Sequence, residues 1–251
     1  MLLSADHLDL LARLRATRPL VHNLTSATVA NFTANALLAV GASPAMVEDP
    51  EEAAQFAGIA QAVSVNLGSL TATRRASILA AVGAAQKHGT PWVLDPVGAG
   101  GISARTAFAE ELLAHHPAAI RGNASEILAL AGGTGGGRGV DSSHASDQAI
   151  AAAETLARGS AAVVAVTGVV DYVTDGTQTL AVHGGHAMMT QVTGMGCAAS
   201  AIVAAFVGIE SDHLRAVAAA LSVVAASGTS AATKSQGPGS FAAAYLDALA
   251  G

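Results

Sequence analysis

Five short apolar runs constrain what this chain can fold into. They lie at residues 19–23, Ala62–Asn66, Trp92–Asp95, 118–121 and 161–166. None alternates cleanly between apolar and polar residues, which is the pattern of strands covered on both faces of a parallel sheet. Helix-length stretches separate them, at 28–40, Ala72–His88, 103–115 and 146–158. The first of these carries Val29, Phe32, Ala36, Leu37 and Val40 on one face. The alternation predicts an α/β layered fold with right-handed crossovers. Two more strands, at 169–174 and 177–183, flank Asp175-Gly176, a hairpin signal. Helices at 196–208, 212–233 and 240–249 follow. The glycine-rich run at 132–139 reads as a mobile surface loop. One domain over residues 1–251 is expected, with no internal repeat.

Composition narrows the function classes. Hydrophobic residues make up 51% and charged residues only 12%, so part of the apolar excess is expected between subunits. A net charge of −6 argues against nucleic acid or an anionic membrane as partner. A single cysteine cannot form an internal disulfide, which favours a reducing cytoplasm. The start, Met1-Leu2-Leu3-Ser4-Ala5-Asp6, has no basic region ahead of an apolar run, so no signal peptide is expected. The longest apolar stretch, 198–209, is shorter than the roughly 18 residues of a membrane span.

In an open parallel sheet, ligands bind beyond the carboxyl ends of the strands. Five polar groups fall there: His22-Asn23, Asn66-Leu67-Gly68, the stretch from Asp95 to Gly100, Arg121-Gly122-Asn123 and Thr167-Gly168. The run Thr193-Gly194-Met195-Gly196-Cys197 opens a long Ala-rich helix. Its glycines let backbone N–H groups converge on an anion, and the helix N-terminus adds partial positive charge. A thiol at that position is expected to have a lowered pKa. The same cysteine also reads as a small buried hydrophobe. Asp95 can hold Mg²⁺ beside phosphates or cap the turn that follows it. Arg121 matches phosphate oxygens two at a time, and Glu126 can orient water on a metal. Asn123 and Glu126 also read as a variant capping box. Met46 reads as core or pocket wall. The nine histidines show no zinc spacing. No Gly-x4-Gly-Lys-Ser/Thr run occurs. Gly194-x-Gly196-x-x-Ala199 fits a dinucleotide fingerprint but lacks the downstream acid.

At these residues the chain resembles the hydroxyethylthiazole kinases of thiamine biosynthesis, which have the ribokinase-like fold. The resemblance spans nearly the whole length. It rests on Pro19-Leu20-Val21-His22, Asn31-Phe32-Thr33-Ala34-Asn35, Gly41-Ala42-Ser43-Pro44-x-Met46 and Leu94-Asp95-Pro96-Val97-Gly98-Ala99-Gly100. It continues through Arg121-Gly122-Asn123-Ala124-Ser125-Glu126, Val192-Thr193-Gly194-x-Gly196-Cys197 and Gly237-Pro238-Gly239-Ser240-Phe241. It implies a three-layer fold with a mostly parallel central sheet and helices on both faces. It also implies transfer of the γ-phosphoryl of ATP to the alcohol of 4-methyl-5-(2-hydroxyethyl)thiazole. By the same resemblance, Arg121 and Thr167 contact ATP phosphates, with Gly194 and Gly196 in the anion-binding loop. Met46 and Gly194 contact the thiazole, joined by Gly68 from a neighbouring subunit of a homotrimer. Asp95 and Glu126 support Mg²⁺, and Cys197 stands where many sugar kinases of the fold carry an aspartate base. Two positions depart from the family pattern: Met195 replaces a smaller residue between the glycines, and Ser26 stands where relatives carry asparagine. The alternatives are a kinase of the same fold acting on another small heterocyclic alcohol, or a non-catalytic ligand-binding oligomer.

Overall fold

A computed structural model describes residues 3–132 and 142–251, so the glycine-rich run beyond Gly132 lies outside the described residues. In chain order the elements are α1 (Ala5–Thr17), β1 (Leu20–Leu24), α2 (Ala30–Val40), β2 (Ser43–Ala45), α3 (Pro50–Ile59), β3 (Ala62–Asn66), α4 (Ala72–His88), β4 (Trp92–Asp95), α5 (Ser103–Leu113), β5 (Ala119–Asn123), α6 (Ala124–Leu130) and α7 (Ser142–Ser160). There follow β6 (Val163–Thr167), β7 (Val170–Thr174), β8 (Thr179–His183), a 3-10 turn (Ala187–Gln191), α8 (Met195–Val207), α9 (His213–Lys234) and α10 (Pro238–Ala250). The strands form one sheet in the order β2-β1-β3-β4-β5-β6-β7-β8. Strands β1 to β6 pair in parallel, and β7 pairs antiparallel with both β6 and β8.

The parallel strands have two apolar faces of different size, which decides how the layers pack. Ala62, Val93, Ala119 and Ala165 point to one side, toward α1, α2, α8, α9 and α10. Their neighbours Val63, Trp92, Leu94, Ile120 and Val164 point to the other, toward α3 through α7. The first face is small, and α8, which crosses β3 and β4, answers it with Ala198, Ala201, Ala204 and Ala205. Small residues on both surfaces bring the helix close to the sheet. Being apolar around most of its circumference, α8 is buried almost throughout, as such a helix must be.

Three elements escape the sequence reading. Helix α1 starts at Ser4, whose hydroxyl accepts the His7 N–H, and buries Leu10, Leu11 and Leu14. Helix α3 starts at Asp49 with Pro50 in its first turn. Strand β2 is three residues long and contains Pro44, which an edge strand tolerates. The hairpin turn is longer than Asp175-Gly176, because the Asp175 carboxylate takes the N–H groups of both Thr177 and Gln178. Helix α9 is long and apolar enough to cross a membrane by length and composition, but 72% of that window is buried inside the fold. It is a core helix.

Phe206 is fully buried on α8, far along the helix from its N-terminus. Phe206→Ala is expected to cost about 3–5 kcal/mol, seen as a lower urea midpoint at an unchanged denaturant slope.

Candidate active site

The carboxyl ends of β3 and β4 lie side by side, with Asn66 in register with Asp95. Both side chains project from the small-residue face toward α8. The Asn66 Nδ2 donates to Asp95 Oδ2 at 2.8 Å and to Cys197 Sγ at 3.3 Å. One turn along α8, the Ser200 hydroxyl donates to the same Oδ2 at 2.8 Å. Asp95 is only 2% exposed, and burial raises its pKa against the pull of Arg121 and of these two hydrogen bonds. Its second oxygen receives no hydrogen bond from the described residues.

Gly194 sets the start of α8. Its φ of 91° is left-handed, and a Cβ there would stand 3.1 Å from Val29 and 3.4 Å from Phe32. Two residues on, a Cβ at Gly196 would meet Arg121 Nη1 at 2.9 Å. The guanidinium therefore lies directly against the first turn of the helix. Its Nε is buried with no hydrogen-bond partner among the described residues. An unpaired cation beside free helix-terminal N–H groups is a site for an anion. Arg121, Thr167 and Gly196 all line a cavity of about 710 Å³, walled further by Gly185, Met189 and Met195. Met195 is thus part of both the core and this wall.

Glu126 completes a capping box with Asn123, which bears out the structural reading of that pair. Its second oxygen accepts the Gly98 N–H at 3.0 Å, tying α6 to the turn after Asp95. Burial, then the neighbouring Asp95 charge, raise its pKa.

The expectation for Cys197 is corrected. Its thiol is pushed up to about 11 from the ordinary 9.0, first by burial and then by the Asp95 charge. These outweigh Arg121 and the Asn66 hydrogen bond, which act in the opposite direction. The thiol is therefore protonated at neutral pH.

The other expected residues form a second group. Gly68 packs against Asn66 and Ser26 of its own chain, and its N–H donates to Asn66 Oδ1 at 2.9 Å. Ser26 and Ser69 share a hydrogen bond of 2.9 Å. Met46 is half-buried just after β2 and makes no hydrogen bond with the cluster. Its loop is tied down on both sides: His22 Nε2–H donates to Val47 O, and Glu48 pairs with Arg74 at 3.4 Å. Arg74 also donates to the carbonyls of Asn66, Gly68 and Ser69.

Asn66, Ser200 and Arg74 were not singled out in the sequence. Asn66 stood among the strand-end polar residues and Ser200 one helical turn after Cys197, so position alone offered a signal for those two. Arg74 offered none, since an arginine in the first turns of a helix reads as surface. Because Cys197 is the sole cysteine, alkylation reads its ionisation directly. Iodoacetamide is expected to react slowly at pH 8, with the rate reaching half its maximum near pH 11; a midpoint at the ordinary 9.0 would refute the raised thiol.

Residues 11–251 match the model of the hydroxyethylthiazole kinase family. A hydroxyethylthiazole kinase of Tolumonas auensis is 55% identical over 98% of this chain and 91% of that protein. The structure of the hydroxyethylthiazole kinase from Pyrococcus horikoshii OT3 superposes with a TM-score of 0.90 at 39% identity, covering 97% of this chain and 92% of that one. A ribokinase-like superfamily protein of Enterococcus faecalis V583 shares the fold alone, with a TM-score of 0.69 at 12% identity over 96% of this chain and 93% of that one. With the three-layer fold and the Asp95–Cys197 cluster in place, the chain belongs to the hydroxyethylthiazole kinase family.

Proposed function

We infer that this protein transfers the γ-phosphoryl group of ATP to the primary hydroxyl of 4-methyl-5-(2-hydroxyethyl)thiazole, in thiamine salvage, as one ribokinase-like domain. The observation that carries the reading is the Arg121 guanidinium, its buried Nε without a hydrogen-bond partner among the described residues, against the N-terminus of α8 beside the cluster of Asp95, Asn66, Ser200 and the half-buried Cys197. In the reaction the alcohol oxygen bonds to the γ-phosphorus, and the bond from that phosphorus to the β–γ bridging oxygen breaks. ADP leaves, and the alcohol proton is released to water once the new bond has formed. The transition state is loose, so alignment and charge neutralisation matter more than a strong base. Arg121 and the backbone N–H groups from Gly194 to Cys197 meet charge on the phosphoryl oxygens. Thr167 lines the same nucleotide cavity. Cys197, protonated in the resting site, hydrogen-bonds the acceptor hydroxyl and orients it. Met46, Gly68 and Gly194 border the thiazole.

Asp95 and Glu126 fit a divalent cation. Carboxylate oxygens are the donors Mg²⁺ prefers, and the mutual repulsion that helps raise Glu126 is what a cation would relieve. Among the described residues no group of three or more His, Cys, Asp or Glu side chains could hold a metal on its own, so the proposed ion would need further ligands from nucleotide phosphates and water. Bound there, Mg²⁺ would neutralise phosphate charge.

Assembly as a homotrimer is part of the same reading, with Gly68 placed beside its own chain's Asn66. Its support is the exposure of large apolar side chains on α2 and α3: Leu38 is 56% exposed and Ile59 64%. A cytoplasmic location is supported by the free thiol of the lone cysteine.

ADP release from Mg·ATP should depend on added thiazole alcohol; nucleotide binding without turnover would instead favour the non-catalytic alternative. Arg121→Ala is expected to lower kcat by on the order of 10²-fold or more, with the fold intact by circular dichroism. Gly196→Ala, whose methyl displaces the guanidinium, should raise the KM for ATP more than that for the thiazole.

A further inference from the structure

Asn66 is 1% exposed and lies between the two groups that the chemistry needs. Its amide cannot turn over. Oδ1 accepts the Gly68 N–H at 2.9 Å, so Nδ2 must face the cluster. There the two hydrogens of one nitrogen divide between Asp95 Oδ2 and Cys197 Sγ. The turn that fixes the amide is fixed in its own right, because Arg74 holds the carbonyls of Asn66 and Gly68. The consequence for each partner differs. Asp95 has one oxygen committed to Asn66 and Ser200, and the other is left for the site. Sγ is committed as an acceptor, so its own hydrogen must point away from Asn66. Without the amide, Asp95 Oδ2 keeps the Ser200 hydroxyl but loses its second donor, and the lone pair of Sγ is released, so the thiol hydrogen is no longer directed away from the Asn66 side.

We propose that Asn66 is a positioning residue for phosphoryl transfer, acting through Cys197 and Asp95: it keeps the thiol hydrogen turned to the acceptor alcohol and one Asp95 oxygen turned to the site. The inference rests on the reading that Cys197 meets the acceptor hydroxyl. Three charged groups face Sγ: Asp95 from β4, Arg121 from β5 and Arg74 from α4.

The test uses the full-length enzyme with Asn66→Ala, Asn66→Ser and Ser200→Ala, each checked for fold by circular dichroism and thermal melting. Asn66→Ala should lower kcat by on the order of 10- to 100-fold, with the KM for ATP within about twofold. The pH midpoint for alkylation of the lone cysteine should rise by about half a pH unit or more, since a donor to the thiolate is lost. Ser200 does not touch Sγ, so Ser200→Ala should leave that midpoint in place. A folded Asn66→Ala enzyme with an unchanged midpoint, or a shifted midpoint with unchanged kcat, overturns the proposal. If Asn66→Ala fails to fold, Asn66→Ser is read by the same criteria, its hydroxyl being able to serve only one of the two acceptors. Full activity in Cys197→Ala would instead remove the reading beneath it, while the alkylation midpoint would still report whether Asn66 holds the sulfur.

Discussion

Close contact between α8 and the small-residue face of the sheet is the constraint on which the rest of this structure depends. Alanines on the helix and Ala62, Val93 and Ala119 on the strands let the two surfaces approach. Only at that separation can side chains as short as asparagine, aspartate, cysteine and serine hydrogen-bond across the layer boundary. The polar cluster is therefore the continuation, at the carboxyl edge, of the same interface that is apolar along the rest of its length. A bulkier face on either side would hold Cys197 and Ser200 out of reach of Asp95.

The electrostatics follow from that depth. One buried and one half-buried carboxylate stand near one half-buried guanidinium, and neither carboxylate is neutralised by a direct ion pair among the described residues. Each retains the cost of burial in a raised proton affinity, and Arg121 retains an unmatched donor. Burying charge without full pairing is unfavourable, so the arrangement stores a demand for polyanion and cation together. Nucleotide and metal would meet that demand jointly better than either would alone.

Much of this was legible in the sequence. Strands β3 and β4 and helix α4 have the expected bounds, because short apolar runs closing on Asn66 and Asp95 and a cap at Thr71 mark their ends locally. Asp95, Glu126, Arg121 and Cys197 were visible as strand-end or helix-start residues. What could not be read were quantities set by distance through space. The helix N-terminus before Cys197 is a local signal, and it argued for an acidic thiol. The depth of burial and the nearness of Asp95, which reverse the sign, arise only when β4 and α8 are stacked. The partnership of Asn66 with Asp95 likewise needs the strand register, since the two lie 29 positions apart. Strand β2 was too short to carry a period, and α3 too rich in alanine to show a clear stripe.

Arg74 has an implication for how the acceptor side can change. One planar cation fastens three carbonyls of the β3–α4 turn and the Glu48 carboxylate beside the Met46 loop, so two loops distant in sequence share one anchor. A lysine, with a single point of charge, could not span that set. If the thiazole alcohol binds here, as proposed above, the backbone around it is a fixed frame, and Ser26 and Met46 are side chains mounted on that frame. On that proposed reading, exchanging those two side chains would reshape the acceptor pocket while the carbonyls held by Arg74, and the Gly68 N–H that fixes the Asn66 amide, stay in place.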